Sequence, residues 1–416
     1  MRTESIWEQQ ANEAARPGFS GRKKIQTAVV GGGMAGILTA LYLKEAGQDV
    51  MVLEAARIGS GQTGRTTAKV TAQHGACCGR LIRELGEEKA GLYAAANRRA
   101  VEEYRRLVRE KKIDCGWREC AAFCYSTEDR ERMQAEAQAE RKLGFAAEFV
   151  TETELPFPVA GAVRMDGQAC FSPLRFLYAI ARGLEIYENT PVKKVERLEN
   201  GNTLLHTPEG CVEAEKVVFA THYPMLKLPG IYFARLFQER SYVTALRGAG
   251  TVENMYIGTD ENSWSVRSVK GKMGEEDLIL LGGAGHRTGG NQGGRYEVLR
   301  EAAGRFWKGS METAHWSAQD CMKAVFVTAG LVYSDRIWQM GDESFDGGGA
   351  FADGSDHGQK KSLGRGVYAA AVWRCIGGSF VSKCRLFAKG AGRKAKAGEA
   401  KAGGGSFAAG RGAGQK

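Results

Sequence analysis

The chain has 416 residues, 43% hydrophobic and 25% charged, an ordinary globular composition with room for two or three domains. No run reaches the roughly 18 apolar residues of a membrane span, and the polar segment Met1–Arg16 lacks the apolar stretch of a secretory signal, so the expected location is cytoplasmic. The formal net charge is +10, but residues 391–416 hold Arg393, Lys394, Lys396, Lys401, Arg411 and Lys416 against Glu399 alone, and the remainder is only mildly basic, so no nucleic-acid partner is expected.

In chain order, residues 1–24 read as an irregular extension. Thr27–Val30 reads as a buried strand, Met34–Ala46 as a helix ending at Gly47, and Asp49–Leu53 as a second strand. This strand–helix–strand unit of about 30 residues is what a parallel sheet requires. Helical patterns follow over 79–112, over 128–143 (read as an exposed helix) and over Phe171–Arg182 after Ser172–Pro173. Val192–Val195 and Val217–Ala220 read as strands, and 231–290 as a mainly antiparallel sheet. Residues 341–416 carry 19 of the 56 glycines and little apolar periodicity, and read as disordered. None of the ten cysteines forms a Cys-x-x-Cys pair; Cys115, Cys120 and Cys124 come nearest to a cluster. They read as buried reduced thiols, and no metal ligand is assigned.

The strongest motif is Gly31-Gly32-Gly33-Met34-Ala35-Gly36, placed directly after a strand and opening a helix. Gly31 permits the tight turn, Gly33 the close approach of a pyrophosphate, and Gly36 the packing of helix on strand. The helix start, at Met34 and Ala35, then offers free N–H groups and a positive dipole end to the phosphates. Glu54 ends the second strand, where a carboxylate accepts hydrogen bonds from a ribose. The motif does not by itself separate FAD from NAD.

The next segment, Val52-Leu53-Glu54-Ala55-Ala56-Arg57-Ile58-Gly59-Ser60-Gly61-Gln62-Thr63-Gly64-Arg65, resembles the second nucleotide-contact segment of the D-amino-acid oxidase superfamily, which is FAD-dependent and includes glycine, sarcosine and γ-glutamylputrescine oxidases. Asp166-Gly167-Gln168 with Ser172-Pro173-Leu174-Arg175, then Thr190-Pro191-Val192, Val217–His222, Leu281-Gly282-Gly283 and His315-Trp316 are similar to later family segments in the family's order. The resemblance implies an α/β fold, a Rossmann-like FAD-binding domain with a parallel sheet interleaved with a smaller antiparallel substrate domain. The expected division is 25–112 and 155–226 for the FAD domain, 113–154 and 227–322 for the substrate domain, and 323–416 as a divergent tail. It implies oxidation of the C–N bond of a small amine or amino acid, with hydride passing to the flavin and dioxygen or another acceptor reoxidising it. Besides Gly31, Gly33, Met34, Ala35, Gly36 and Glu54, the implied cofactor contacts are Ala55, Arg57, Ser60, Thr63, Thr67, Val192 and Thr221. Lys69 and His74 lie where related oxidases pass the face of the isoalloxazine, and are the catalytic candidates: Lys69 to favour an anionic reduced flavin, His74 as a base or substrate contact. Arg267, His286 and Arg287 fall in the substrate domain, where an Arg could clamp a substrate carboxylate bidentately; a solvated surface role is the one expected for them.

After Met322 the family's usual flavin-closing strand–loop–helix is not found in frame. Read one nucleotide later, codons for Ile337–Gly341 encode Phe, Ser or Tyr, then Gly, then Lys or Arg, then Trp, and permit "FGKWG"; the same shift permits an apolar helix after Ala350 and a family-like "TPQRF" within Val367–Phe380. This reading implies a shifted frame and a rival function, an impaired remnant that binds nucleotide weakly. The other rival is an NAD-dependent dehydrogenase.

Overall fold

A computed structural model describes residues 5–222, 236–271, 275–290, 293–307 and 312–324. The glycine-rich segment 341–416 and the alternative-frame motifs lie outside the described residues.

The N-terminal residues are more ordered than the irregular extension expected. Helix α1 (Ile6–Gln10) opens with a capping box of Ser5 and Glu8. Trp7 is 2% exposed, and its indole N–H donates to the Thr66 carbonyl at 2.7 Å. A large ring buried with its one polar atom satisfied is an anchor, and sequence spacing gave no sign of it.

Strand β1 (Gly21–Val30) begins before its apolar end because pairing with β10 (Gly210–Phe219) runs the whole way, from Gly21 opposite Gly210 to Val30 opposite Phe219. Helix α2 (Met34–Glu45) and β2 (Val50–Leu53) complete the unit read from sequence. Every residue of β2 is buried, as a parallel strand covered on both faces demands. Next come the 3-10 turn Gln62–Arg65, β3 (Lys69–Val70), α3 (Cys78–Leu85) and α4 (Glu87–Glu110). Gly86, at φ +80°, splits the long helical pattern into α3 and α4. Then follow β4 (Arg118–Ser126), α5 (Arg130–Lys142), β5 (Ala147–Val150), β6 (Gly161–Cys170), α6 (Pro173–Ala181), β7 (Glu185–Tyr187), β8 (Lys194–Arg197) and β9 (Thr203–Thr207). After β10 come β11 (Leu236–Arg247), β12 (Met255–Gly258), β13 (Ser265–Val269), β14 (Leu278–Arg287), α7 (Arg295–Phe306) and β15 (Glu312–Ala324).

Two sheets result. The first has the order β7-β2-β1-β10-β9-β8, parallel through β10 and antiparallel beyond. The second has nine strands along β15-β11-β14-β13-β12-β4-β6-β3, with β5 paired to β6, and is antiparallel except for the β12–β4 pair. Strands β3 and β6 lie in segments read as nucleotide-binding, yet they pair within the second sheet. Helix α5 is not the exposed helix expected: Met133, Glu136, Ala137 and Glu140 are buried. The largest core fills the space between the first sheet, α2, α4 and α6; a second lies between the nine-stranded sheet and α7.

Candidate active site

The glycine turn is shaped by backbone contact. Gly31 has φ +111°, and a Cβ there would stand 2.6 Å from the Ala220 carbonyl oxygen. A Cβ on Gly36 would stand 1.9 Å from the Gly31 oxygen. These two glycines are therefore demanded by the protein's own packing. Gly33 differs: a Cβ would meet only Thr63 Oγ1, at an ordinary 3.4 Å. Space over Gly33 is thus left open toward a ligand. The start of α2 has no side-chain cap, and the Met34 N–H donates to Thr63 Oγ1 at 3.0 Å. The positive end of α2 and a hydroxyl beside it fit a diphosphate.

Glu54 is fixed as the sequence placed it, at the end of β2. Its carboxylate accepts from Gly32 N at 2.6 Å and Ala56 N at 2.9 Å. Charge-assisted bonds of this kind fix the position of the acid. Ala55 beside it is exposed. Sequence reasoning missed Glu188, which is fully buried and organises the second contact segment. It accepts from Ile58 N at 2.9 Å and Arg16 N at 2.9 Å, and stands 3.5 Å from the Arg57 guanidinium. Arg57 also donates to the Glu13 carbonyl, and Ser60 Oγ donates to the Arg57 carbonyl. Both of these side chains therefore have structural partners. Thr67 is buried, Thr221 is half-buried just past β10, and Val192 packs in the core on the outer face of the first sheet.

Lys69 and His74 are not placed alike. Lys69 is half-buried on β3, and its Nζ donates to the Tyr256 carbonyl at 2.6 Å and to Ser265 Oγ. His74 is exposed on the loop before α3. Arg267 corrects the expectation of a solvated role: it is 3% exposed. Its guanidinium donates to the carbonyls of Thr67 and Ala68 and lies 5.6 Å from the Trp7 ring centre. A buried guanidinium needs this many acceptors because each unpaired N–H costs desolvation energy. Burial holds its pKa below the usual value, while the neighbouring thiols of Cys170 and Cys120 favour the charge. His286 is half-buried rather than solvated and shares a 2.9 Å hydrogen bond with Tyr242 Oη; Tyr296 packs edge-on to Tyr242 at 5.0 Å. Arg287 is exposed. The Tyr242–His286–Tyr296 group comes from β11, β14 and α7, and no local motif marks it.

Residues 26–351 match the family described as FAD dependent oxidoreductase (DAO), a match that extends past Met322, where the recognisable motifs end. YhfW of Bacillus subtilis, which bears the name of a Rieske 2Fe-2S iron-sulfur protein, is 32% identical over 330 residues, covering 76% of this chain and 64% of that one. The chain thus spans less than two thirds of that relative's length. Gamma-glutamylputrescine oxidoreductase of Escherichia coli is 33% identical over 112 residues, 27% of this chain and 26% of the other. Glycine oxidase from Geobacillus kaustophilus has the same fold: TM-score 0.60 at 17% identity, covering 75% of this chain and 85% of that one. The NAD-dependent reading is overturned by the family match, and the cofactor is FAD. The chain belongs to the DAO family of FAD-dependent oxidoreductases.

Proposed function

We propose that this enzyme oxidises the C–N bond of a small amine or amino acid, with dioxygen or another acceptor taking the electrons onward. FAD supplies the two-electron acceptor. Gly33, Met34, Ala35 and Thr63 would hold the diphosphate, at the turn that Gly31 and Gly36 permit; Glu54 would hold the ribose. Ala55, Arg57, Ser60, Thr67, Val192 and Thr221 line or support the rest of the cofactor's path.

The observation that carries the reading is the seam at β3. This strand leaves the nucleotide-binding segments and joins the second sheet, and Arg267 of β13 grips the two carbonyls just before it. Lys69 thereby stands at the junction with its charge fixed by two acceptors. A preorganised cation there stabilises negative charge as it develops, at no cost of reorganisation. Tyr242 and His286 of the second sheet and Tyr296 of α7 form one amphipathic group where the helix meets the sheet. His74 lies on the exposed loop that continues from β3 and serves as a substrate contact there.

The test is anaerobic mixing of the purified yellow protein with a panel of amines and amino acids. Bleaching of the flavin absorption by one class of substrate supports the reading; a panel of primary and secondary amines, with and without a carboxylate, that leaves the spectrum unchanged overturns it. A chain that stays colourless in excess FAD favours the impaired remnant.

A further inference from the structure

Among the described residues, one group of three sulfur and carboxylate donors lies within reach of a single ion: Cys77, Cys78 and Glu136, whose ligand atoms all stand within 4.8 Å of one another. Cys77 caps the start of α3, and Cys78 is its first residue. Glu136 arrives from α5, and its carboxylate accepts from Cys78 N at 2.5 Å and Gly79 N at 3.0 Å. The three groups belong to parts of the chain nearly 60 residues apart, brought together by packing of α3 on α5.

The charge around this group is unbalanced. Cys78 is 4% exposed and Glu136 5%. One turn along α5, Glu140 is fully buried and takes only the Gln73 side-chain amide, at 3.1 and 3.2 Å. Neither glutamate has an ion-pair partner among the described residues. Arg132, on the same helix, is the cation that reaches the neighbouring buried Cys124. Two buried carboxylates beside the buried Cys78 thiol are expensive to keep charged unless they receive a positive ion. In addition, the Gln73 amide oxygen is buried without a partner.

We propose that Cys77, Cys78 and Glu136 form a binding site for a thiophilic divalent cation of the zinc class. Two sulfur ligands and one carboxylate select zinc over calcium or magnesium, which prefer oxygen. At Zn–S distances of about 2.3 Å, tetrahedral sulfurs sit roughly 3.8 Å apart, inside the span seen here. Three protein ligands leave one position for water, and Cys77, which is only half-buried, gives that position its opening to solvent. The backbone N–H groups on Glu136 play the part of outer partners that orient a ligating carboxylate. The ion would pin the loop that carries His74 to α5, and the proposal stands independently of the amine-oxidation reading.

The test uses the full flavin-loaded chain, zinc sulfate and equilibrium dialysis under reducing conditions, with metal counted by elemental analysis. One zinc per chain is expected, falling at least tenfold in affinity in Cys77→Ser and Cys78→Ser and unchanged in Cys211→Ser, a half-buried thiol outside the group. A readout on the wild type guards against misfolded variants: bound zinc protects Cys77 and Cys78 from alkylation, and a chelator removes the protection. Zinc below a tenth of an equivalent, zinc retained by the double serine variant, or alkylation of both thiols unaffected by zinc would each overturn the proposal, as would recovery of Cys77 and Cys78 joined as a disulfide under the same reducing conditions.

Discussion

Lys69 stands directly opposite Cys170 where β3 pairs with β6. The Cys170 sulfur lies 3.7 Å from that of Cys120 and accepts from Arg118 Nη2 at 3.3 Å. The Cys120 thiol, then Arg267, Arg118 and Lys69, together hold the Cys170 thiol well below the ordinary range, and the same contact pushes Cys120 up. Of the two thiols, Cys170 is thus the one that gives up its proton first, beside the buried Arg267.

A pH dependence follows. The folded pair keeps one proton over the range in which two unfolded thiols keep both, up to about pH 8.5. The unfolded state then binds more protons, so stability rises with pH through that window and is lost as pH falls through the Cys170 pKa. Above about pH 8.5 the unfolded thiols release both protons while the folded pair retains one, and stability falls again. Urea unfolding in reducing buffer is expected to show this maximum in the wild type, with slopes of at most about 1.4 kcal/mol per pH unit. Cys170→Ser should flatten it and remove one thiolate's ultraviolet absorbance at neutral pH. An identical pH profile in the variant would show that no thiolate is present.

The two glycines of the turn should separate folding from binding. In Gly36→Ala the new carbon meets the Gly31 oxygen, so the backbone must shift and stability should drop by about 1–3 kcal/mol or more. Gly33→Ala meets nothing closer than 3.4 Å. It should melt like the wild type yet bind FAD at least tenfold more weakly, about 1.4 kcal/mol, as measured by flavin fluorescence on titration. Unchanged FAD affinity in Gly33→Ala would place the diphosphate elsewhere.

Glu54→Gln keeps the shape and removes the charge. Its two backbone contacts weaken and, on the proposed placement, the ribose loses its charged acceptor, so FAD affinity should fall by about 1.5–3 kcal/mol, tenfold or more. Glu188→Ala instead strands the Ile58 and Arg16 N–H groups, and should cost about 3–5 kcal/mol of thermal stability in the apoprotein. Calorimetry with and without FAD distinguishes the two.

Lys69→Met tests the electrostatic role. On the proposed placement of Lys69 beside the flavin, its loss should lower the flavin midpoint potential by about 30 mV, equivalent to about 1.4 kcal/mol for two electrons. Dye-coupled reductive titration reads this directly. A potential unchanged within a few millivolts would mean that Lys69 only ties β3 to Tyr256 and Ser265.

Trp7→Phe should separate the ring from its hydrogen bond. The phenyl still covers Arg267, so the expected loss is about 1–3 kcal/mol for the unpaired Thr66 carbonyl, against about 3–5 kcal/mol for Trp7→Ala. Equal losses in both variants, by urea unfolding, would show that the ring contributes little.

The nucleotide half was legible in the sequence because its signals are local. The glycine spacing, the apolar strand before it, the helix after it and the acid at the end of β2 all fall between Thr27 and Glu54, and each follows from backbone geometry that neighbouring residues impose. Tertiary structure decided the rest. Whether Arg267 is solvated or buried depends on carbonyls at Thr67 and Ala68, about 200 residues away in the chain. Cys120 and Cys170 meet only because β4 pairs with β6, and Cys78 meets Glu136 only because α3 packs on α5. Local pattern sets which face of an element is apolar; the partner that face receives is set by the fold, and the charge state of a buried group depends on that partner.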